Sequence, residues 1–151
     1  MALAKKAAQR PGSVVASRQV AIEDFYVTSS TVDFSFVQPE RTIVESIHVM
    51  FDGLTTLADA GGGTAGDASL TIGTNSDFSG TEVATAKTIV DFDADPSLED
   101  GKVVNVNTIV SGYQGNATTA DTVLYGRITC GDAPTITGTN KLQIHIGFRH
   151  F

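Results

Sequence analysis

Apolar and polar residues alternate along much of this chain with a period of two. Val32, Phe34 and Phe36 would share one face of an extended segment, while Asp33 and Ser35 fall on the other. Successive side chains of a β-strand point to opposite faces, so this pattern predicts a strand with one buried face. The other segments with strand-like patterns cover residues 14–27, 43–51, 68–73, 88–90, 102–110, 122–130 and 142–148.

The connections between these segments contain turn-forming residues and no long amphipathic helical pattern. Residues 43–51 are apolar on both faces, which favours a central strand covered on both sides. Residues 81–87 fit either a short helix or an extended crossing, and 131–140 are typical of a turn-rich connection. Short strands separated by turn signals predict an all-β fold, an antiparallel β-sandwich or jelly-roll-like structure of about eight to nine strands.

Length and composition agree with one strand-rich domain. The 151 residues are enough to form one core without disulfides or metal. The chain contains 15 Gly, and its charged fraction of 18% is below the roughly 25% of ordinary soluble domains. Abundant glycine and threonine favour strands and tight turns over helices.

The positive charges are concentrated at the N-terminal end. Residues 1–22 carry four of the 10 Lys and Arg residues and none of the 17 Asp and Glu residues. This segment has too little apolar surface to fold alone, so we predict an extended basic arm over 1–18 and a single β-sandwich domain over 19–151. The arm is either a disordered leader that aids solubility or a segment that docks on a negative surface. The residues expected to contact a partner are Lys5, Lys6, Arg10 and Arg18.

The remainder of the chain is acidic. The other six Lys and Arg residues and all 17 acids lie in 23–151, and such a surface repels a nucleic-acid backbone. Within it, 23–100 carries 2 positive and 15 negative charges, and 101–151 carries 4 positive and 2 negative. This bias along the sequence predicts that the charges also segregate in space and help to orient neighbouring copies.

The sequence has no signal for a membrane. No segment reaches the roughly 18 apolar residues of a membrane span, and no apolar stretch follows the basic N-terminal residues as in a secretory signal. We therefore expect a protein that is made in a cytoplasm and does not bind membranes. Cys130 is the single cysteine and has no local base to activate it, so it is predicted to be a buried structural thiol.

Residues 91–100 form the best local cluster of carboxylates. They could bind a structural calcium ion, although Pro96 stands where an EF-hand loop needs glycine. A solvated acidic turn is the alternative, and no other cofactor is indicated. His145 and His150 would face opposite sides of a regular strand, and whether His48 joins either of them depends on strand pairing. The candidate calcium ligands are Asp91, Asp93, Asp95 and Glu99.

Common catalytic patterns are missing from the sequence. It has no Gly-x-Ser-x-Gly elbow, no Walker loop and no His-Glu-x-x-His motif. The glycine run 61–63 is not followed by the Lys-Ser or Lys-Thr of a phosphate-binding loop. We predict a non-enzymatic protein, with a small hydrolase that uses an unrecognised carboxylate pair as an alternative.

Three segments carry a resemblance to a known family. They are the Met1–Arg18 arm, the stretch Leu70–Asn75 running into Asp77–Gly80, and the closing segment Leu142–Phe148. In these segments, and in its composition over the full length, the chain resembles the small β-rich capsid decoration (cement) and head-associated proteins of tailed bacteriophages.

The resemblance implies a virion protein without enzymatic activity, located on the capsid exterior and made in the host cytoplasm. Its partners would be the major capsid protein, whose neighbouring subunits it would bridge, and further copies of itself, with a trimer favoured. The alternative is a glycan- or receptor-binding β-sandwich module of a phage fibre or a secreted protein. In that case loops 58–67 and 112–120 would form the binding site.

Overall fold

The computed structural model describes residues 14–23, 31–58, 67–80, 82–91, 97–98, 103–106, 119–131 and 135–150. These residues form nine β-strands and no helix, which confirms the all-β prediction. The strands are β1 (Val14–Glu23), β2 (Thr31–Gln38), β3 (Thr42–Ala58), β4 (Ala68–Gly73), β5 (Glu82–Val90), β6 (Ser97–Leu98), β7 (Val103–Asn105), β8 (Thr122–Cys130) and β9 (Thr135–His150).

The strands form two antiparallel sheets. Sheet A has the order β1-β9-β3, and both β6 and β7 pair with the other side of β3; sheet B has the order β2-β8-β4-β5. β6 pairs with residues 57–58 and β7 with residues 48–50, so these short strands occupy successive parts of one strand position. Each sheet therefore has four strand positions, and the chain passes between the sheets as in a jelly roll.

One hydrophobic core lies between the two sheets. Every second residue of β9 from Leu142 to Phe148 is fully buried, as the period-two pattern predicts. Phe148 in sheet A meets Phe36 in sheet B, with ring centroids 6.5 Å apart. Cys130 is also buried, as expected. The largest fully buried side chains come from both sheets and are Ile47, Phe51, Leu70, Ile72, Leu124, Ile128, Leu142 and Phe148.

In one segment the structure decides between two conformations that the sequence left open, and in another it contradicts the prediction. Residues 82–90 form one continuous strand, β5, so the described part of the ambiguous segment 81–87, residues 82–87, is extended. Residues 135–140 form the first part of β9, and 135–138 of these pair with residues 54–58 of β3. The predicted turn-rich connection is wrong there, because a ladder of backbone hydrogen bonds to a distant strand overrides the local turn preference of Gly and Asn.

β1 lies at the edge of sheet A. It pairs with β9 along its length, beginning with Val14 opposite Arg149. Residues 14–18, which the sequence assigned to the arm, are therefore part of the sheet, because β9 supplies their backbone hydrogen-bond partners. The division into an arm and a domain stays a prediction for residues 1–13, which lie outside the described residues.

A tight turn carries the chain from β2 in sheet B to β3 in sheet A. The buried Gln38 side chain donates from Nε2 to the backbone oxygen of Thr42 at 2.6 Å. The Thr42 hydroxyl donates to the oxygen of Pro39 at 2.6 Å. The Glu40 N–H donates to Asp121 Oδ1 at 2.9 Å, which ties this turn to the residue before β8. These bonds hold together the end of the sandwich at which β1 begins.

Opposite charges lie side by side in the sandwich, contrary to the predicted segregation. Each described Lys or Arg residue of 101–151 forms an ion pair with an acid of 23–100, because β8 lies beside β2 and β9 beside β3. For these residues, the pairing of distant strands neutralises the charge bias of the sequence. The pairs are Arg127–Asp33, Lys141–Asp52 and Arg149–Glu45.

Candidate interaction surfaces

The outer face of sheet B carries three interacting side chains, Asp33, Phe78 and Arg127, which we call the Arg127 cluster. Asp33 on β2 is directly opposite Arg127 on β8. Arg127 Nε lies 2.6 Å from Asp33 Oδ1, and Arg127 Nη2 lies 2.7 Å from Asp33 Oδ2, so the pair is bidentate. The guanidinium carbon lies 4.5 Å from the Phe78 ring centroid, a cation–π contact. The cluster holds one guanidinium in a defined place on an open face.

The loop between β4 and β5 positions the Phe78 ring. The φ angle of Phe78 is 60°, a left-handed conformation that is uncommon for a bulky residue. Its N–H donates to the Asn75 oxygen at 3.0 Å. Ser79 donates to Asp77 Oδ1 from its N–H at 3.0 Å and from its hydroxyl at 2.7 Å. These local bonds stabilise a strained backbone that places the ring over Arg127.

Hydrogen bonds keep two carboxylates of this region ionised. The hydrogen bond from Arg127 is the main cause that lowers the pKa of Asp33 below its ordinary value of 3.8, and desolvation opposes it. The hydrogen bonds from Ser79 lower the pKa of Asp77 in the same way. The pKa of Arg127 is raised in turn by the bond to Asp33, so the pair remains ionised at neutral pH.

The Asp33–Arg127 pair makes a testable contribution to stability. The Asp33 side chain is 53% exposed, so solvent screening limits this contribution to about 0.5–1 kcal/mol. Because the folded-state pKa of Asp33 is depressed, the stabilisation is present above the ordinary carboxyl pKa and is lost as the pH falls through the folded-state value. Asp33→Asn should therefore lower the free energy of unfolding near pH 7 and have almost no effect in strong acid.

Urea unfolding of the wild type and of Asp33→Asn at several pH values measures this dependence. Glu40→Gln changes an exposed carboxylate outside the Arg127 cluster and controls for the change in net charge. An effect of Asp33→Asn that stays constant from neutral to strongly acidic pH would contradict the role of the ion pair.

Other outward-facing residues of sheet B surround the Arg127 cluster. Tyr125 on β8 is opposite Ser35 on β2. Val37 is opposite Val123, and these side chains are 37% and 44% exposed. The face therefore offers an aromatic ring, a small apolar patch and hydroxyl groups to a partner. One row of hydroxyl residues crosses all four strands and consists of Thr31, Thr129, Ser69 and Thr88.

On the outer face of sheet A, two central strands place two histidines side by side. His48 on β3 is directly opposite His145 on β9, and both are half-buried. His150 lies opposite Thr42 instead. Strand pairing thus decides the question that the sequence left open, because it joins His48 to His145 and not to His150.

Hydrogen bonds link polar side chains in the row of the histidine pair and in the rows next to it. Gln19 on β1 donates to Gln143 on β9, and Gln143 donates from Nε2 to Asp52 Oδ2 at 2.6 Å. Lys141 Nζ lies 3.8 Å from the same carboxylate oxygen. This chain of contacts crosses from β1 to β3 and orients the amide side chains along the sheet.

Glu45 occupies an irregularity in the pairing of β3 with β9. The register shifts between Val44 and Ser46, so Glu45 is the extra residue of a bulge. Its Oε1 accepts hydrogen bonds from Nε of Arg149 at 2.9 Å and from Nη2 of the same residue. Its Oε2 is buried and has no hydrogen-bond partner among the described atoms. The bulge therefore aims a carboxylate at Arg149 and leaves one oxygen without a donor there.

Most of the predicted site residues lie outside the described part of the chain, so both predicted sites stay predictions. Arg18 is an exposed residue of β1, opposite Ile146 on β9. Asp91 is exposed directly after β5. The predicted residues that are not described are Lys5, Lys6 and Arg10 of the arm and Asp93, Asp95 and Glu99 of the candidate calcium loop.

Within the described ranges, no group of three or more His, Cys, Asp or Glu side chains could hold a metal ion. The same ranges contain no helix that is long and apolar enough to span a membrane.

Sequence reasoning missed the Arg127 cluster. The alternating pattern places Asp33 and Arg127 on the outward faces of their strands, but the two residues are separated by 94 positions. Only the pairing of β2 with β8 brings them together. The sequence did contain one signal for Phe78. It is an aromatic residue within a turn of small polar residues, and a turn by itself does not require an aromatic side chain.

Comparisons with known proteins do not assign the chain to a family. No model of a protein family matches the chain, and no curated protein matches it. The chain is similar to a chain in the structure of infectious bursal disease virus Gx strain, with 17% sequence identity and a TM-score of 0.31. The match covers 99% of this chain and 37% of that chain. A TM-score this low is not evidence of a shared fold or function. The chain is therefore classified by its own architecture, as an all-β protein of two antiparallel sheets.

Proposed function

We propose that this chain is a structural virion protein that binds the outside of a phage capsid and bridges neighbouring major capsid subunits. The observation that carries the proposal is the strand order, with four strand positions in each sheet and a chain that passes back and forth between the sheets. This jelly-roll arrangement occurs in viral capsid domains, and also in lectins and cupins. A fold alone does not determine function. The proposal therefore also depends on the outer surface of sheet B and on the basic N-terminal segment.

The position of the basic segment supports a bridging role. Residues 1–13 precede Val14, which lies at the end of the sandwich that contains the β2–β3 turn and the β4–β5 loop. Of the described bases near this end, Arg41 lies in the β2–β3 turn, while Arg127 and Arg149 are each paired with a carboxylate of the same sheet. A basic segment of one copy is attracted to such an end of a neighbouring copy, or to carboxylates on the capsid. The described carboxylates at this end are Glu40, Asp77, Glu82 and Asp121.

The outer face of sheet B supports a second contact. The Arg127 cluster holds its guanidinium between a carboxylate and an aromatic ring, so little side-chain entropy remains to be lost when a partner binds. The exposed pair Val37 and Val123 adds apolar area beside it. Two weak contacts on different subunits act together, because the second contact forms intramolecularly once the first is made.

Co-sedimentation of the full chain with capsids of the encoding phage tests the proposal. We expect saturable binding with a fixed number of copies per capsid, and capsids that resist heat or chaotropes better when they are occupied. Light scattering of the free protein tests the expected homo-oligomer, a trimer. Failure to bind capsids assembled with their full set of major capsid subunits would refute the proposal.

Deleting residues 2–13 should weaken capsid binding by about threefold to a hundredfold, because three positive charges contribute roughly 0.2–1 kcal/mol each. The deletion ends before Val14 and leaves β1 intact, whereas removal of 1–18 would take away half of that strand. The melting temperature should therefore stay unchanged. The full-length variant with Lys5, Lys6 and Arg10 replaced by Gln separates charge from chain length, and undiminished capsid occupancy by both variants would remove the arm from the mechanism.

The alternative function is a glycan- or receptor-binding module. Tyr125 favours it, because this aromatic residue lies on the open face of sheet B in the row next to the Asp33–Arg127 pair. A ring with fixed polar groups beside it is a common arrangement for binding a small polar ligand. A reproducible glycan-array signal that Tyr125→Ala abolishes, together with no capsid binding, would favour this function over the first.

A further inference from the structure

The outer face of sheet A combines two metal-binding side chains in one cross-strand position. His48 and His145 are directly opposite each other on β3 and β9. Directly opposed residues of antiparallel strands have Cβ atoms about 4.5–5.5 Å apart. Two imidazoles at this spacing can each direct one nitrogen to a shared ion at about 2.0–2.1 Å. We propose that His48 and His145 form a two-ligand site for a divalent transition-metal ion such as Ni²⁺, Cu²⁺ or Zn²⁺.

The core fixes the relative position of the two histidines. A one-residue slip of β3 against β9 would turn all neighbouring core residues towards solvent, so the register is strongly specified. The pairing that places His48 opposite His145 is therefore held by apolar burial rather than by the histidines themselves. The pairs directly before and after it are all fully buried and consist of Ile47 with Ile146 and Val49 with Ile144.

The surroundings of the pair leave room for an ion. On one side, the next outward-facing pair is Ser46 opposite Gly147, and neither residue has a long side chain. On the other side, the next outward-facing pair is Met50 opposite Gln143, and Gln143 is engaged by hydrogen bonds with its neighbours on β1 and β3. Both histidines are half-buried and not fully buried, so an ion from solvent can reach them.

The charges on this face do not oppose a cation. On β9, Lys141 and Arg149 are each four residues from His145, about 13 Å along an extended strand. Each of these bases pairs with a carboxylate of β3, Lys141 with Asp52 and Arg149 with Glu45. The residue of β1 opposite His145 is the neutral Gln19, and the residue of β7 opposite His48 is the neutral Asn105, so no described base stands in the row of the two histidines.

The chemistry of the ligands selects the class of ion. Imidazole nitrogen suits zinc, copper and nickel, whereas calcium and magnesium prefer oxygen donors. The described residues provide no third ligand of the His, Cys, Asp or Glu type, so water or a group from a partner completes the coordination. An open site of this kind binds an exchangeable ion rather than a permanent structural one. The ion competes with protons for the imidazoles, and its affinity therefore falls in acid.

Calorimetric titration of the full chain with NiCl₂ at neutral pH tests the proposal. We expect one Ni²⁺ per chain. His48→Gln and His145→Gln should each weaken binding on the order of 100-fold, because a chelate becomes a single contact. His150→Gln is the matched control, since His150 lies on the same strand as His145 but opposite Thr42, and it should leave the affinity unchanged. Mg²⁺ should give no comparable binding.

A second measurement uses the wild-type chain alone and does not depend on the folding of the variants. In nuclear magnetic resonance spectra, Ni²⁺ should broaden the imidazole signals of His48 and His145 together and at lower concentration than those of His150. Equal affinity of His48→Gln and wild type, or equal loss in His150→Gln, would overturn the proposal. Metal binding is measured on the protein without a capsid. A negative result for the metal site can therefore be distinguished from a negative result for the proposed virion function.

Discussion

Replacing Phe148 with alanine should lower the free energy of unfolding by about 3–5 kcal/mol. Phe148 is fully buried on β9, and its ring centroid lies 6.5 Å from that of Phe36 on the opposite sheet. The substitution removes a contact between the two sheets and leaves a cavity that the paired strands around it cannot fill. Denaturant unfolding followed by circular dichroism measures the change as a shift of the midpoint.

Val123→Ala is the matched control for Phe148→Ala. This side chain is 44% exposed on the outer face of sheet B, so its truncation should change the stability by no more than about 0.5 kcal/mol. Phe148→Leu keeps most of the apolar volume and should be less destabilising than Phe148→Ala, which provides a folded variant if the alanine variant does not fold. A loss below about 1 kcal/mol for Phe148→Ala would contradict a core shared by both sheets.

Gly126→Ala should lower the free energy of unfolding by about 1–3 kcal/mol, although alanine is one of the smallest possible changes. Gly126 is a buried residue of β8, directly opposite Phe34 on β2. A Cβ at this position would overlap three atoms of the Phe34 ring, at distances under 3.0 Å that real Cβ atoms do not show. The ring stacks on Phe36 at a centroid distance of 6.3 Å, so it cannot move without disturbing the core.

A double-mutant cycle tests this steric explanation. Phe34→Leu shortens the side chain that lies over Gly126, so the added methyl group of Gly126→Ala should then be tolerated better. We expect the double variant to be more stable than the sum of the single effects predicts, with a coupling of about 0.5–3 kcal/mol. Simple additivity would show that the cost of Gly126→Ala comes from backbone conformation and not from the ring.

The sequence predicted strands well wherever alternation was uninterrupted. The expectation for 122–130 coincides with β8, and the apolar residues of 142–148 are buried as expected. Side-chain direction along one strand follows from the backbone alone, so no knowledge of neighbours is required. Residues 135–138 were mispredicted because their extended conformation depends on pairing with residues 54–58 of β3.

The candidate surfaces were less predictable than the fold. The outward positions of Asp33 and Arg127 were visible in the pattern, and so were the three histidines. Their partners were not visible, because many pairings of eight or nine strands satisfy the same alternation. The expected separation of charges failed for the same reason, since strands of opposite charge became neighbours in both sheets.

The sequence alone determines that this chain is rich in strands, that it is acidic after a basic N-terminal segment, and that most of its strands are apolar on one face. These properties are local, since each follows from composition or from residues two positions apart. The tertiary structure alone decided that Asp33 meets Arg127, that His48 faces His145, and that residues 14–18 belong to a sheet. The order of strands minimises the free energy of the whole chain, and it depends on contacts between residues far apart in the sequence.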